Sequence, residues 1–88
     1  MVRELTLDAL LEIIRQCAGE TDAGVPDADL MDVPFLDVGY DSLALLETAA
    51  RIEREYGISL SDDTVVTATT PRVLLRIVNQ TLGLTHVE

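Results

Sequence analysis

The sequence contains no lysine and no tryptophan, and it has one cysteine, one histidine and one phenylalanine. Each scarcity excludes a class of function. Without lysine there is no glycine-rich cradle of the kind whose lysine reaches bound phosphates. With Cys17 alone, neither an intramolecular disulfide nor a cysteine-built metal cage can form. Cys17 lies on an apolar stripe at helical spacing, where it reads as a small core residue. His86, the single histidine, lies in a C-terminal tail expected to fray. A serine or cysteine nucleophile therefore lacks its usual base. Tyr40-Asp41-Ser42-Leu43-Ala44 also lacks both glycines of a nucleophile elbow. The chain is not expected to be an enzyme.

Aromatic residues make up only 3% of the chain, so a core must come from Leu, Ile, Val and Ala. A single domain spanning residues 1–88 is expected, with one thin core. No apolar run approaches the ~20 residues of a membrane span, and the N-terminus lacks the basic and long apolar regions of a secretory signal. These features predict a cytoplasmic protein without a membrane partner. Sixteen acidic side chains against six arginines give a net charge of −10. Such a surface repels nucleic acid. It suits positively charged protein partners, or it serves solubility alone; charge by itself does not decide between these.

Hydrophobic periodicity predicts an all-α bundle of three long helices plus one short helix. Leu7, Leu10, Leu11, Ile14, Cys17 and Ala18 share one helical face, with Thr6 as cap, Asp8 in the first turn and Gly19 as the stop. From Gly19 to Tyr40 the periodicity is lost among glycines, prolines and aspartates. This stretch predicts a long crossing loop with a short turn near Leu30, tacked to the core by Leu30, Met31, Phe35 and Leu36. Asp41 is a good cap for a second helix reaching Tyr56, with Leu45, Leu46, Ala49, Ile52 and Tyr56 inward and Gly57 ending it. Glu47–Arg51 is a candidate i,i+4 pair on its outer face, contributing only ~0.2–0.5 kcal/mol. Asp62 through Val66 predicts one short helical turn. Thr70-Pro71 opens the last helix, whose face is Leu74, Leu75, Ile77, Val78 and Leu82, with Gly83 at its end.

The acidic loop does not fit a calcium site. A calcium loop begun at Asp27 places Met31 at the fifth position and Val38 at the twelfth, without the required glycine and glutamate. No metal site is expected.

What remains is Gly39-Tyr40-Asp41-Ser42-Leu43, which puts a serine hydroxyl in the first turn of a helix. Backbone N–H groups and the helix dipole favour a phosphodiester there, whereas the Asp41 carboxylate opposes it. On residue types alone, Asp41 and Ser42 read more simply as helix-starting residues.

The run Gly39-Tyr40-Asp41-Ser42-Leu43-Ala44-Leu45-Leu46-Glu47-Thr48-Ala49-Ala50-Arg51 resembles the attachment motif of acyl carrier proteins from bacterial type II aromatic polyketide synthases. Cys17-Ala18-Gly19-Glu20, Tyr56-Gly57 and Thr70-Pro71-Arg72 extend the resemblance over nearly the whole chain. Fatty acid carriers usually have an acidic residue where Ala44 stands, and peptidyl carriers commonly a glycine where Tyr40 stands. The resemblance implies that Ser42 bears a covalent 4′-phosphopantetheine taken from coenzyme A, with Asp41 and Leu43 as flanking recognition residues. The arm would carry malonyl extender units and the growing polyketide as thioesters. The implied partners are a phosphopantetheinyl transferase, the ketosynthase/chain length factor, a malonyl transferase, a ketoreductase and cyclases, met by a monomeric carrier. Asp41, Leu43 and Glu47 are the candidate partner-binding residues, and Leu43 reads equally as a core leucine. The alternatives are a fatty acid or other specialised acyl carrier and, from another class, a non-enzymatic acidic helical interaction module.

Overall fold

The structure is a computed structural model that describes residues 4–19 and 27–83. Among the described residues, four α-helices form a bundle: α1 (Leu7–Ala18), α2 (Ser42–Tyr56), α3 (Asp62–Val66) and α4 (Pro71–Thr81). The long connection between α1 and α2 carries two 3₁₀ segments, η1 (Asp27–Asp32) and η2 (Phe35–Val38). The expected class, three long helices plus a short one with a long α1–α2 crossing, is the one observed.

Side-chain caps start all four helices. Thr6, Asp41, Ser61 and Thr70 accept from the N–H groups of Ala9, Ala44, Thr64 and Val73. Each takes up a donor that a helix start would otherwise leave unpaired. Pro71 occupies the first turn of α4, as predicted. Gly57 ends α2 at φ 69°, a left-handed conformation that costs a glycine little.

The helix faces differ from the prediction at a few positions. Leu10, Leu11, Ile13 and Ile14 are the buried residues of α1, while Cys17 is half-buried and Ala18 exposed. In α2, Leu45, Ala49 and Ile52 are buried as expected, whereas Leu46 and Tyr56 are half-buried at its edge. Ala44 and Thr48 complete the buried face. Thr48 is fully buried, and its Oγ1 has no hydrogen-bond partner among the described residues. Leu74, Leu75 and Val78 of α4 are buried, with Ile77 and Leu82 half-buried.

Within the crossing connection, Leu30 and Phe35 enter the core and Met31 packs against it. Leu36 does not: it is 73% exposed. A 3₁₀ turn has three residues, so consecutive side chains point about 120° apart. Burial of Phe35 therefore turns Leu36 outward. The segment is tied sideways to the start of α4, where Phe35 N–H donates to the Thr69 carbonyl at 2.8 Å.

The predicted Glu47–Arg51 pair is not formed. Arg51 pairs with Glu55 instead, and its Nη2 donates to Gln16 Oε1 at 2.7 Å. Gln16 is itself held by Glu12 at 2.9 Å, which draws the guanidinium toward α1 and away from Glu47. The Glu55 carboxylate raises the Arg51 pKa further above its ordinary value, chiefly by hydrogen bonding.

Two long-range ties complete the bundle. Leu5 N–H donates to Asn79 Oδ1 at 2.9 Å, and Asn79 Nδ2 donates to the Leu5 carbonyl at 3.1 Å. Asn79 thus pairs with the chain ahead of α1 much as a neighbouring strand would. On the surface, Arg72 forks onto both Asp32 oxygens at 2.6 and 3.0 Å, joining α4 to η1.

Replacing Asn79 by Ala leaves the Leu5 backbone groups unpaired. Thermal or urea unfolding should show a loss of about 1–3 kcal/mol. The Arg72 guanidinium holds the Asp32 carboxyl below its ordinary value of 3.8, first through the hydrogen bond and then through its charge. A depressed folded-state pKa contributes stability that is present above the unfolded value and lost as pH falls through the folded one. Arg72→Gln should therefore flatten the acid limb of the stability profile below pH about 4. NMR titration should show the Asp32 pKa rising in that variant. Both residues are exposed, so added salt should shrink the difference.

Candidate attachment site

The residues ahead of α2 are ordered by contacts to three other parts of the chain. Gly39 adopts φ 93°, ψ 10°, the left-handed turn that brings the backbone out of η2. Tyr40 N–H then donates to the Phe35 carbonyl at 2.9 Å. The Tyr40 ring is buried, and its hydroxyl donates to the Gly19 carbonyl at 2.8 Å. Phe35 is in turn anchored to Thr69. The segment is thus referenced to the end of α1, to η2 and to the start of α4.

Asp41 follows in extended conformation, and its Oδ1 accepts the Ala44 N–H at 3.0 Å. Its carboxylate is therefore occupied in starting the helix. Ser42 is the first residue of α2 and is exposed. The first-turn N–H groups of a helix point outward beyond its start, and the helix dipole adds partial positive charge there. A phosphodiester on the Ser42 hydroxyl fits this environment, and no helix residue has to move to admit it. Asp41 supplies the opposing negative charge that the residue types suggested.

Leu43, the next residue, is 64% exposed. The reading of Leu43 as a core leucine is thereby overturned, because Ala44 and Leu45 turn inward. Glu47 is exposed one turn further on, and its carboxylate makes no ion pair among the described residues. The structure therefore brings Asp41, Ser42, Leu43 and Glu47 onto one end of α2. Behind Glu47, the Cys17 thiol donates to its backbone carbonyl at 3.9 Å, across the α1–α2 contact.

Beside Ser42 lies a small, mainly apolar groove of about 140 Å³, between η2, α2 and the α3–α4 region. Leu36, Tyr40, Leu45 and Val66 contribute to its walls together with Asp41 and Ser42. Sequence periodicity does not reveal this groove, because Leu36 and Val66 come from segments too short to show a period. Exposed Val66 follows buried Val65 in the five-residue α3.

Among the described residues, no three potential ligands gather to hold a metal ion, and no helix is long and apolar enough to cross a membrane. His86 lies outside the described residues.

Comparison with known proteins accords with this geometry. Residues 8–78 match the phosphopantetheine attachment site family. The oxytetracycline polyketide synthase acyl carrier protein of Streptomyces rimosus is 53% identical over 78 residues, covering 89% of this chain and 82% of the relative. The actinorhodin polyketide synthase acyl carrier protein of Streptomyces coelicolor is 49% identical over 83 residues, covering 94% and 96%. The holo form of the actinorhodin carrier superposes with a TM-score of 0.82 at 45% identity, covering 98% of this chain and all of that one. These likenesses span the whole bundle and favour a polyketide carrier over the fatty acid and docking-module alternatives. The chain belongs to the phosphopantetheine attachment family and, within it, to the acyl carrier proteins of type II polyketide synthases, which carry covalent 4′-phosphopantetheine and are not themselves catalysts.

Proposed function

We propose that Ser42 is the residue that bears the 4′-phosphopantetheine arm. The observation that carries this reading is an exposed serine hydroxyl at the first position of a capped helix, within the family's matched span. In the loading step the Ser42 oxygen attacks the pantetheine-bearing phosphorus of coenzyme A. A P–O bond to Ser42 forms, the bond to adenosine 3′,5′-bisphosphate breaks, and a base of the transferase takes the serine proton. The nucleophile must be activated from outside, because among the described residues the only side chain of suitable type beside Ser42 is Asp41, and it is engaged with Ala44.

The attached arm supplies a terminal thiol that holds acyl groups as thioesters. Malonyl extender units and the growing polyketide are the proposed cargo; the malonyl and 3-oxo-butyl forms of the actinorhodin carrier are close structural neighbours and support it. The rigid bundle keeps the tether's root in a defined place and raises the local concentration of cargo at each enzyme. The chain would act as a single, monomeric, cytoplasmic carrier domain. The enzymes served would be the phosphopantetheinyl transferase, the ketosynthase/chain length factor, the malonyl transferase, the ketoreductase and the cyclases.

Partner recognition is proposed to involve Asp41, Leu43 and Glu47. Two facts support Glu47: among the described residues its carboxylate makes no ion pair, and the neighbouring arginine is occupied by Glu55 and Gln16. A carboxylate without an internal partner remains available to a basic enzyme surface.

Intact mass spectrometry tests the attachment residue. Incubation with coenzyme A, magnesium and a promiscuous phosphopantetheinyl transferase should add one phosphopantetheine to the wild type and none to Ser42→Ala. A folded, unmodified wild type that gains nothing would sink the assignment. Glu47→Lys should slow acyl transfer to the ketosynthase roughly tenfold at low salt, with the deficit shrinking as ionic strength rises. Stopped-flow or quenched transfer assays at two salt concentrations measure this; an unchanged rate and salt slope would remove Glu47 from the interface.

A further inference from the structure

Acidic side chains are spread over three of the four helices: Asp8 and Glu12 on α1, Glu47, Glu53 and Glu55 on α2, Asp62 and Asp63 on α3. The fourth helix differs. α4 contains none, and no acidic residue occurs between Asp63 and Glu88. Two of the chain's six arginines, Arg72 and Arg76, stand in this stretch, four residues apart on α4 and both exposed. A chain of net charge −10 thus carries one helix whose own charge is purely positive.

Both arginines line a groove of about 460 Å³ between α4, η1 and the chain leading into α1. Buried Leu5 and Leu75 and half-buried Leu7 and Met31 give it apolar walls. Its polar groups are not equally available. The Asn79 amide is used on both sides by the Leu5 backbone. Arg72 forks onto Asp32 but keeps N–H donors beyond the two that Asp32 takes. Arg76 forms no ion pair among the described residues. Glu4 also lines the groove and offsets part of its charge, without pairing to Arg76. The groove lies along the helix that starts at the attachment end: Pro71 follows two residues after Thr69, which lines the smaller groove with Ser42.

We propose that the α4 groove is a second docking surface of opposite sign, where Arg76 receives an acidic loop of the ketosynthase during acyl transfer. The proposal rests on the reading of the chain as a carrier loaded at Ser42. Charge selects the occupant. Arg76 is a cation without an internal partner, beside apolar walls that can take a side chain, so a carboxylate flanked by an apolar residue complements it. A nucleic acid or an anionic membrane would also meet the acidic side chains of the other helices, whereas one acidic loop within a basic enzyme face would not. The tether explains why a second point is useful. During loading the Ser42 oxygen itself enters the transferase, which fixes the carrier there. In acyl transfer the reacting atoms lie at the far end of the arm, so the bundle is free to turn about its root. One acidic face attracts a basic enzyme from many orientations. A cationic point beside it admits few, because every misaligned pose sets like charges together.

The test compares Arg76→Glu, Arg76→Gln and Arg76→Lys with a charge-matched control, Arg54→Glu, which alters an exposed arginine in the last turn of α2. Each is loaded with phosphopantetheine by a promiscuous transferase, acylated, and assayed for steady-state transfer to the ketosynthase at low and high salt. Net charge and local docking predict opposite signs. If only overall charge steers the encounter, Arg76→Glu and Arg54→Glu make the carrier equally more acidic and should both transfer as fast as wild type or faster. Docking at Arg76 predicts instead that Arg76→Glu raises KM roughly tenfold and Arg76→Gln roughly threefold, with kcat retained and the deficit fading as salt rises. Arg76→Lys, which keeps the charge, should stay within about twofold of wild type, and Arg54→Glu should show no deficit. Loading by the transferase should be unchanged in all four. Circular dichroism and unfolding midpoints check that the exposed substitutions leave the bundle intact. Wild-type or faster transfer by Arg76→Glu would overturn the proposal, as would an equal deficit in Arg54→Glu or a parallel fall in loading. If the wild type takes up no phosphopantetheine, the carrier reading fails and this one with it; if it loads and transfers while Arg76→Glu equals it, only the second docking surface fails.

Discussion

The hydroxyl of Tyr40 donates to the carbonyl of Gly19, so the connection between α1 and α2 begins and ends at nearly one point. Closing so long a connection costs chain entropy, although that cost grows only slowly with length. The buried Tyr40 ring offsets part of it by removing apolar surface from water. Much else follows from this closure. It sets where α2 starts relative to α1, and it places Gly39 where a left-handed turn can redirect the chain into Asp41. Ser42 is presented by a helix whose first residue is already located, and the loop that leads to it is held at both ends.

Packing between α1 and α2 then propagates that position through the bundle. Ala44, Leu45, Thr48, Ala49 and Ile52 make the buried face of α2, a surface rich in small residues. Small side chains let the opposing leucines and isoleucines of α1 fill the space between the helices. Thr48 is the exception in chemistry. Its hydroxyl is buried without a partner, a type of group that ordinarily costs stability. Its shape nonetheless matches that of valine, so the packing can accept it while the polar atom remains unsatisfied. The α3 turn and the approach to it are held from outside by Glu53, whose carboxylate accepts the Leu60 N–H at 2.7 Å.

The long helices were legible because their starts and stops are chemical signals as well as patterns. Thr6, Asp41 and Thr70 cap, and Gly57 terminates, for local reasons that survive in the fold. Membership of the carrier family was legible for a different reason, through resemblance; residue types alone favoured a plain helix start at Ser42. Less legible was whatever depends on neighbours. Leu36 and Phe35 are adjacent and both apolar, and only the 3₁₀ geometry against the core decides which one is buried. Arg51 has acidic residues one turn to either side, and Gln16, thirty-five residues away, tips it toward Glu55. Leu43 was evenly divided between core and surface until α2 acquired its rotation about its own axis. In each case the deciding atom lies far off in sequence.

The thiol of Cys17, tucked between α1 and the Glu47 carbonyl, has a consequence for the lifetime of the cargo. A thioester on a tethered arm is a good electrophile, and a nucleophile on its own carrier would meet it at high effective molarity. Amines and thiols are the side chains best suited to intercept it. This sequence has no lysine to do so. Its one thiol is half-buried and in contact with the Glu47 backbone carbonyl. With no lysine amine and a single half-buried thiol, the chain offers few side chains of these two kinds to compete with water and the partner enzymes for the acyl groups it holds.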